Sequence, residues 1–212
     1  GAANNNFVYV IGGINNINYD NVNTVYLGKI EENGDITAWQ QLTPLPESLS
    51  LGSSIIAGNV IYFAGGCTDS HSYLNMLTNK IYASTINETD GTIGEWNIVG
   101  YLPEGTANAN IMEINGYLYS FGGYRQSGTS EKVQRALINP ESGLIGQWED
   151  LTPFPQPLYS NGIARIGDTI ISTGGYNGTL YLAHVYYTKL NQDGTITQWT
   201  TRLDDTPVVS IF

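Results

Sequence analysis

Val60-Ile61-Tyr62-Phe63-Ala64-Gly65-Gly66 is the stretch whose reading decides the fold. Branched and aromatic side chains suit a buried strand, and two glycines directly after them allow a sharp exit that side chains would obstruct. The pattern returns at Phe7 to Gly13, Tyr117 to Gly123 and Thr169 to Gly175, so the pairs are Gly12 and Gly13, Gly65 and Gly66, Gly122 and Gly123, and Gly174 and Gly175. Repeats outrank every other sequence signal when a fold is assigned. Here they cover essentially the whole chain.

Outward from each pair the spacing is regular. The four tryptophans are Trp39, Trp96, Trp148 and Trp199, and each of the first three lies 26 residues before the next glycine pair. A turn glycine precedes each tryptophan by five residues, at Gly34, Gly91, Gly143 and Gly194. Asn-Gly, Asp-Gly and Ser-Gly between strand-like runs are hairpin turns, because glycine accepts positive φ without a Cβ clash. Ahead of those turns run Thr24 to Leu27, Lys80 to Ala83, Val133 to Ile138 and His184 to Tyr187, all β-prone. Leu45-Pro46, Leu102-Pro103 and Phe154-Pro155 follow the tryptophans, and new apolar runs start at Ser53, Ala109 and Gly162. Each unit therefore reads as four short strands. The distance from the second glycine of a pair to its tryptophan is 26, 30, 25 and 24 residues in the four units, so the variation is confined to one loop, where binding residues concentrate on a fixed scaffold.

These features together resemble the kelch repeat family: an apolar strand, a glycine pair, a tyrosine near the next strand, a tryptophan 24 to 30 residues after the pair, and a period near fifty. The resemblance implies an all-β fold, a β-propeller of four kelch-type four-stranded blades forming one domain over residues 1–212. The blades fall at about residues 7–46 plus 208–212, 51–103, 107–155 and 161–203, with Val208–Phe212 expected to complete the N-terminal blade. The third unit departs, with Arg135-Ala136 where the others have Val-Tyr or Ile-Tyr, and the fourth has Asp205-Thr206 in place of the Leu-Pro stop. The arithmetic suits a closed four-blade ring, two chains joined as an eight-blade homodimer, or a repeat fragment that assembles into a larger propeller. An uncovered edge strand invites pairing.

Composition bounds the function. Forty-one per cent hydrophobic residues, 25 glycines and 15 tyrosines exclude disorder, and 8 Lys plus Arg against 19 Asp plus Glu give a formal charge of −11 that repels polyphosphates and anionic lipid. Nucleic acid is not an expected partner, nor is membrane insertion, since no apolar run approaches the length of a spanning helix. Cys67 is the single cysteine, which excludes an intramolecular disulfide framework and any cysteine-based zinc site. Abundant Asn, Thr and Ser with scarce Lys lean towards an exported or cell-surface protein.

Catalytic signals are missing from the motifs: no nucleophile elbow, zinc-protease helix or P-loop is written here. The segments at Asp90-Gly91 and Asp193-Gly194 lack the regular oxygen ligands of a calcium loop. Cys67 and His71 bear a superficial likeness to the copper-oxidase relatives of kelch propellers, but no set of two histidines and two tyrosines matches, so no catalytic residue, metal ligand or cofactor is assigned. Asn87-Glu88-Thr89 and Asn177-Gly178-Thr179 fit the glycosylation acceptor pattern. The tryptophans, at a fixed offset from a hairpin, read as core, and the glycine pairs as structural.

What remains are the loops that in kelch domains form the binding face. They carry Asn15, Asn16, Asn18, Tyr19 and Asp20; Asp69, His71 and Tyr73; Tyr124, Arg125 and Gln126; Tyr176 and Asn177; and, between blades, Asn108, Tyr159 and Asn161. Rigid aromatics beside amides make adaptable contact surfaces. The expectation is a non-catalytic binding module for a protein or glycan, with Arg125 anchoring an acidic or carbonyl group and Tyr19, Tyr73, Tyr124 and Tyr176 as flat contacts. A propeller enzyme, either copper radical oxidase-like or a sugar isomerase or hydrolase, is the alternative.

Overall fold

The structure, a computed structural model, describes residues 1–71 and 76–202. Among them stand four antiparallel four-stranded sheets, each in simple up-and-down order. The first comprises Ala2–Ala3, Phe7–Ile14, Asn21–Ile30 and Ile36–Gln41, and the second Ser53–Ala57, Val60–Ala64, Lys80–Thr85 and Asn97–Tyr101. The third comprises Asn110–Ile114, Tyr117–Phe121, Val133–Ile138 and Ile145–Asp150; the fourth Gly162–Ile166, Thr169–Thr173, Val185–Lys189 and Thr200–Arg202. The Val208–Phe212 strand expected in the first blade lies outside the described residues. Ala2–Ala3 pair with the second strand of that sheet, Ala2 opposite Tyr9 and Ala3 opposite Val8.

The chain divides into two compact units, Gly1–Ala107 with Asn139–Ile145, and Asn108–Ile138 with Gly146–Phe212. In the first, Phe7, Tyr9 and Ile11 of the first sheet cluster with Ile61 and Phe63 of the second and with Ile93 and Trp96, which precede its last strand. In the second unit, Tyr119, Phe121 and Phe154 meet Ile170, Tyr186, Ile196 and Trp199. A strand covered on both faces reads as a continuous apolar run rather than an alternation. Val60–Ala64 is such a strand, with Ile61, Tyr62, Phe63 and Ala64 all buried.

The glycine pair has a specific task. Gly65 and Gly122 take φ of 65° and 61°, and a Cβ on them would stand 2.2 Å from the carbonyl oxygens of Thr106 and Leu158. The following glycine donates its N–H to that same carbonyl, Gly66 to Thr106 at 2.8 Å and Gly123 to Leu158 at 2.8 Å; Gly13 does likewise to Leu49 at 2.8 Å. The first glycine admits the carbonyl and the second holds it.

Two further contacts recur within the units. The tyrosine three residues before the pair donates to the carbonyl of a hairpin glycine: Tyr9 to Gly91 at 2.8 Å, Tyr62 to Gly143 at 3.4 Å and Tyr119 to Gly194 at 2.6 Å. Indoles donate likewise, Trp96 Nε1 to Thr43 O at 3.1 Å and Trp199 Nε1 to Thr152 O at 3.2 Å. Burial pushes the Tyr9 hydroxyl up to about 12, with the Asp90 carboxylate adding to the shift.

Register corrects one sequence assignment. Val10, Phe63, Ser120 and Ser172 stand opposite Tyr26, Tyr82, Gln134 and Tyr186. The third repeat therefore departs at Gln134, and Arg135 lies one position further along, opposite Tyr119. There the guanidinium donates to the Asp193 carbonyl at 2.7 Å and to Glu149 at 2.5 Å, and sits 4.6 Å from the Tyr117 ring centroid. The tryptophans also differ from one another. Trp96 and Trp199 are buried at 6% and 8% exposure and Trp148 is half-buried, but Trp39 is 52% exposed.

Candidate loop-face binding site

Each unit carries its own group of loop residues after the glycine pairs. In the first unit, Asn15 Oδ1 accepts the backbone N–H groups of Ile17 and Asn18 at 3.0 Å, a local cap that turns the loop, and Asn15 N donates to Asp20 O at 3.0 Å. Tyr19 takes φ of 61°, its carbonyl accepts from Ser70 Oγ, and its ring is exposed, as is Asn16. Asp69 Oδ1 accepts from His71 N at 2.9 Å, and His71 Nδ1 lies 3.7 Å from Asp69 and 3.8 Å from Asp20. Among the described residues no group of three His, Cys, Asp or Glu stands close enough to hold a metal ion. Cys67 is buried, its thiol donating to the Asp69 carbonyl at 2.9 Å. Tyr73 lies outside the described residues.

The second unit gathers a group that sequence spacing only partly reveals. Tyr124 and Tyr159 meet edge to face at 5.8 Å between centroids, Tyr159 and Tyr176 edge to face at 5.4 Å, and Tyr176 and Tyr181 tilted by 50° at 4.8 Å. Edge-to-face pairs hold rings rigid with their quadrupoles complementary. The backbone fixes the middle of the row, because Tyr159 and Tyr176 exchange N–H···O bonds of 3.0 and 2.9 Å, and Tyr176 also bridges to Tyr181. At the outer end Tyr181 is 51% exposed and Leu180 63%.

From Asn177, next to Tyr176, runs a chain of polar groups. Asn177 Oδ1 accepts from Thr179 N and Leu180 N at 2.9 and 2.8 Å, shaping the loop tip, and Asn177 Nδ2 donates to Gln156 Oε1 at 2.8 Å. Gln156 Nε2 donates to the Tyr186 hydroxyl at 2.5 Å, and that hydroxyl stands 2.8 Å from His184 Nδ1. Burial raises the Tyr186 hydroxyl above its ordinary value, so it stays protonated. Asn161 is buried and donates to Ser172 Oγ at 2.8 Å, while the Asn108 carbonyl accepts from Ser160 N at 3.2 Å.

Of the residues singled out in the sequence, Tyr124, Tyr159, Tyr176 and Asn177 are brought together. Arg125 is not displayed: it is 3% exposed, on a two-residue strand, Tyr124–Arg125, whose partner is Gly128–Thr129. Its side chain points inward because its neighbour Tyr124 points the other way along the strand, so it cannot serve as the surface anchor expected of it. Tyr181 and Leu180 were missed. Their signal was the aromatic five residues beyond Tyr176 in the same loop.

Antiparallel four-stranded sheets with glycine-pair exits and variable loops on a fixed frame define β-propeller blades. The repeats are similar to those of kelch repeat-containing proteins. An Arabidopsis thaliana protein described as kelch repeat-containing is 28% identical over 136 residues, 61% of this chain and 29% of that protein. The solved structure of YjhT superposes on the whole chain with a TM-score of 0.74 at 16% identity, and 66% of that chain is covered. This chain thus spans under a third of the first protein and about two thirds of the second. No family model matches the chain.

Proposed function

We propose that the chain is a non-catalytic binding module that takes a protein segment on the tyrosine row of its second unit. The carrying observation is the row itself: four tyrosines in ring-to-ring contact, two of the three contacts edge to face, ending in the exposed Leu180 and Tyr181. Rigid aromatics lose little conformational freedom on binding, and an exposed apolar pair beside them supplies a desolvated centre of the kind interfaces use. The bonds from Asn177 to Gln156 and on to Tyr186 hold the loop in place before any ligand arrives, which lowers the ordering cost of association. The net charge of −11 favours segments that are neutral or basic over acidic ones.

Immobilised chain screened against peptide and glycan arrays tests this reading. Peptide hits whose affinity falls at least tenfold, about 1.4 kcal/mol, with Tyr181→Ala, and also with Leu180→Ala, support it. Hits indifferent to both changes, or hits confined to glycans, overturn it. Stoichiometric copper in the purified protein would favour the enzyme alternative and defeat the non-catalytic reading.

A further inference from the structure

A second groove lies within the first unit, at the strand ends remote from the glycine pairs. Residues 4–6 lead into the strand Phe7–Ile14, Gly58 and Asn59 lead into Val60–Ala64, and residues 86–88 leave Lys80–Thr85. Together they line an open groove of about 340 Å³, inside the range of about 300–1,000 Å³ found for small-molecule sites. Phe7 and Ile86, 5% and 3% exposed, form its apolar floor. Its walls are asparagines and one carboxylate, Glu88.

The backbone around this groove is tied down, and the side chains are not. Asn4 caps its own turn, its Oδ1 accepting from Asn6 N at 3.0 Å and from Phe7 N at 2.9 Å. The Asn6 carbonyl accepts from Ile30 N and the Asn59 carbonyl from Ile86 N, both at 2.8 Å. The walls are therefore fixed in advance. By contrast, the side chains of Asn5, Asn6, Asn59 and Glu88 are exposed and have no hydrogen-bond partner among the described residues. Register makes residues 114–116 and 166–168 the matching turns of the third and fourth repeats. There the polar atoms are used locally: Glu113 Oε1 accepts from Gly116 N at 2.7 Å, and Asp168 Oδ1 from Lys189 Nζ at 2.7 Å. Three asparagines in a row where one cap suffices leave amides with no structural task.

Charge and hydrogen-bonding capacity select the ligand class. A primary amide offers two N–H donors beside a carbonyl acceptor, and a carboxylate accepts from more than one donor. That set complements adjacent hydroxyls, each of which donates and accepts. An apolar floor under such walls suits a molecule with one C–H face and hydroxyls at its edge. Among the described residues no Lys, Arg or His lines the groove, and the chain carries a charge of −11, so an anionic ligand would meet no counter-charge. We infer that the groove is a binding site for a neutral sugar, its C–H face on Phe7 and Ile86 and its hydroxyls on Asn5, Asn59 and Glu88. The groove and the tyrosine row share no residue, so either reading can fail without the other.

Saturation-transfer NMR on the whole chain tests it, with the methyl glycosides of glucose, galactose, mannose and N-acetylglucosamine at millimolar concentration and methyl glucuronide as the anionic control. At least one neutral glycoside should bind, with the strongest transfer to ring protons of one face, and the glucuronide should not. Asn5→Ala and Asn59→Ala remove exposed side chains without partners, so the melting temperature should hold while each weakens that binding at least about fivefold. Tyr181→Ala should leave it unchanged. Binding by none of the neutral glycosides, equal binding of the glucuronide, or indifference to both asparagine changes overturns the inference. Binding that Tyr181→Ala abolishes also overturns it, by moving the sugar to the tyrosine row, and binding that a calcium chelator abolishes does so by making the amide oxygens ligands of a cation.

Discussion

Gly122→Ala should be among the most damaging single-methyl additions this fold can receive, and the structure separates its two causes. Gly122 takes φ of 61°, a left-handed conformation that costs an L-residue about 1–2 kcal/mol. A Cβ there would stand 2.2 Å from the Leu158 carbonyl oxygen, so that carbonyl must retreat and its bond from Gly123 N, 2.8 Å in the native protein, is lost or stretched. A buried backbone hydrogen bond lost with its partner left unsatisfied costs about a further 1–3 kcal/mol. The sum, about 2–5 kcal/mol, is a large share of the stability of a typical domain. Gly167 provides the control in the same unit: φ of 60°, yet nothing within 4 Å of its Cβ position. Urea unfolding followed by tryptophan fluorescence should show Gly167→Ala costing only the conformational part, about 1–2 kcal/mol, and Gly122→Ala clearly more. Equal losses for the two variants would refute the carbonyl-clasp account of the glycine pair and leave only a turn preference.

Three other outcomes follow from the buried groups. Tyr9 is fully buried with its hydroxyl raised from an ordinary value near 10 to about 12, so the protonated form favours the fold; its contribution is complete below pH 10 and lost as pH rises through 12. Thermal melts between pH 9 and 12 should show that alkaline loss, and Tyr9→Phe should lessen it. Tyr119→Phe removes the 2.6 Å bond to the Gly194 carbonyl and should destabilise by about 1–3 kcal/mol in the same denaturation assay, whereas Tyr19→Phe, on an exposed loop, should change nothing measurable. Cys67 has no exposed surface, so a thiol reagent should react with it only after denaturation; fast reaction in the native protein would contradict its placement.

Much of the scaffold was legible because repetition multiplies a weak signal. One Gly-Gly after a strand says little, but four of them, each with a turn glycine five residues before a tryptophan, fix the strand count and order. The candidate site was legible in part. Tyr124, Tyr159 and Tyr176 stood out by composition and position, yet their edge-to-face row depends on the backbone pairing of residues 17 apart in sequence, Tyr159 with Tyr176. Arg125 misled because scarcity and a loop position are one-dimensional cues, whereas the pleat of a two-residue strand decides which way a side chain points.

By itself the sequence determined what is local: where strands stop, since only glycine tolerates a carbonyl at 2.2 Å and a positive φ together, and where hairpins close. Tertiary structure decided everything that depends on a neighbour. Trp39 and Trp96 occupy the same place in their repeats, but one ring is 52% exposed and the other 6%, because a side chain's burial belongs to the sheet packed against it and not to its own strand.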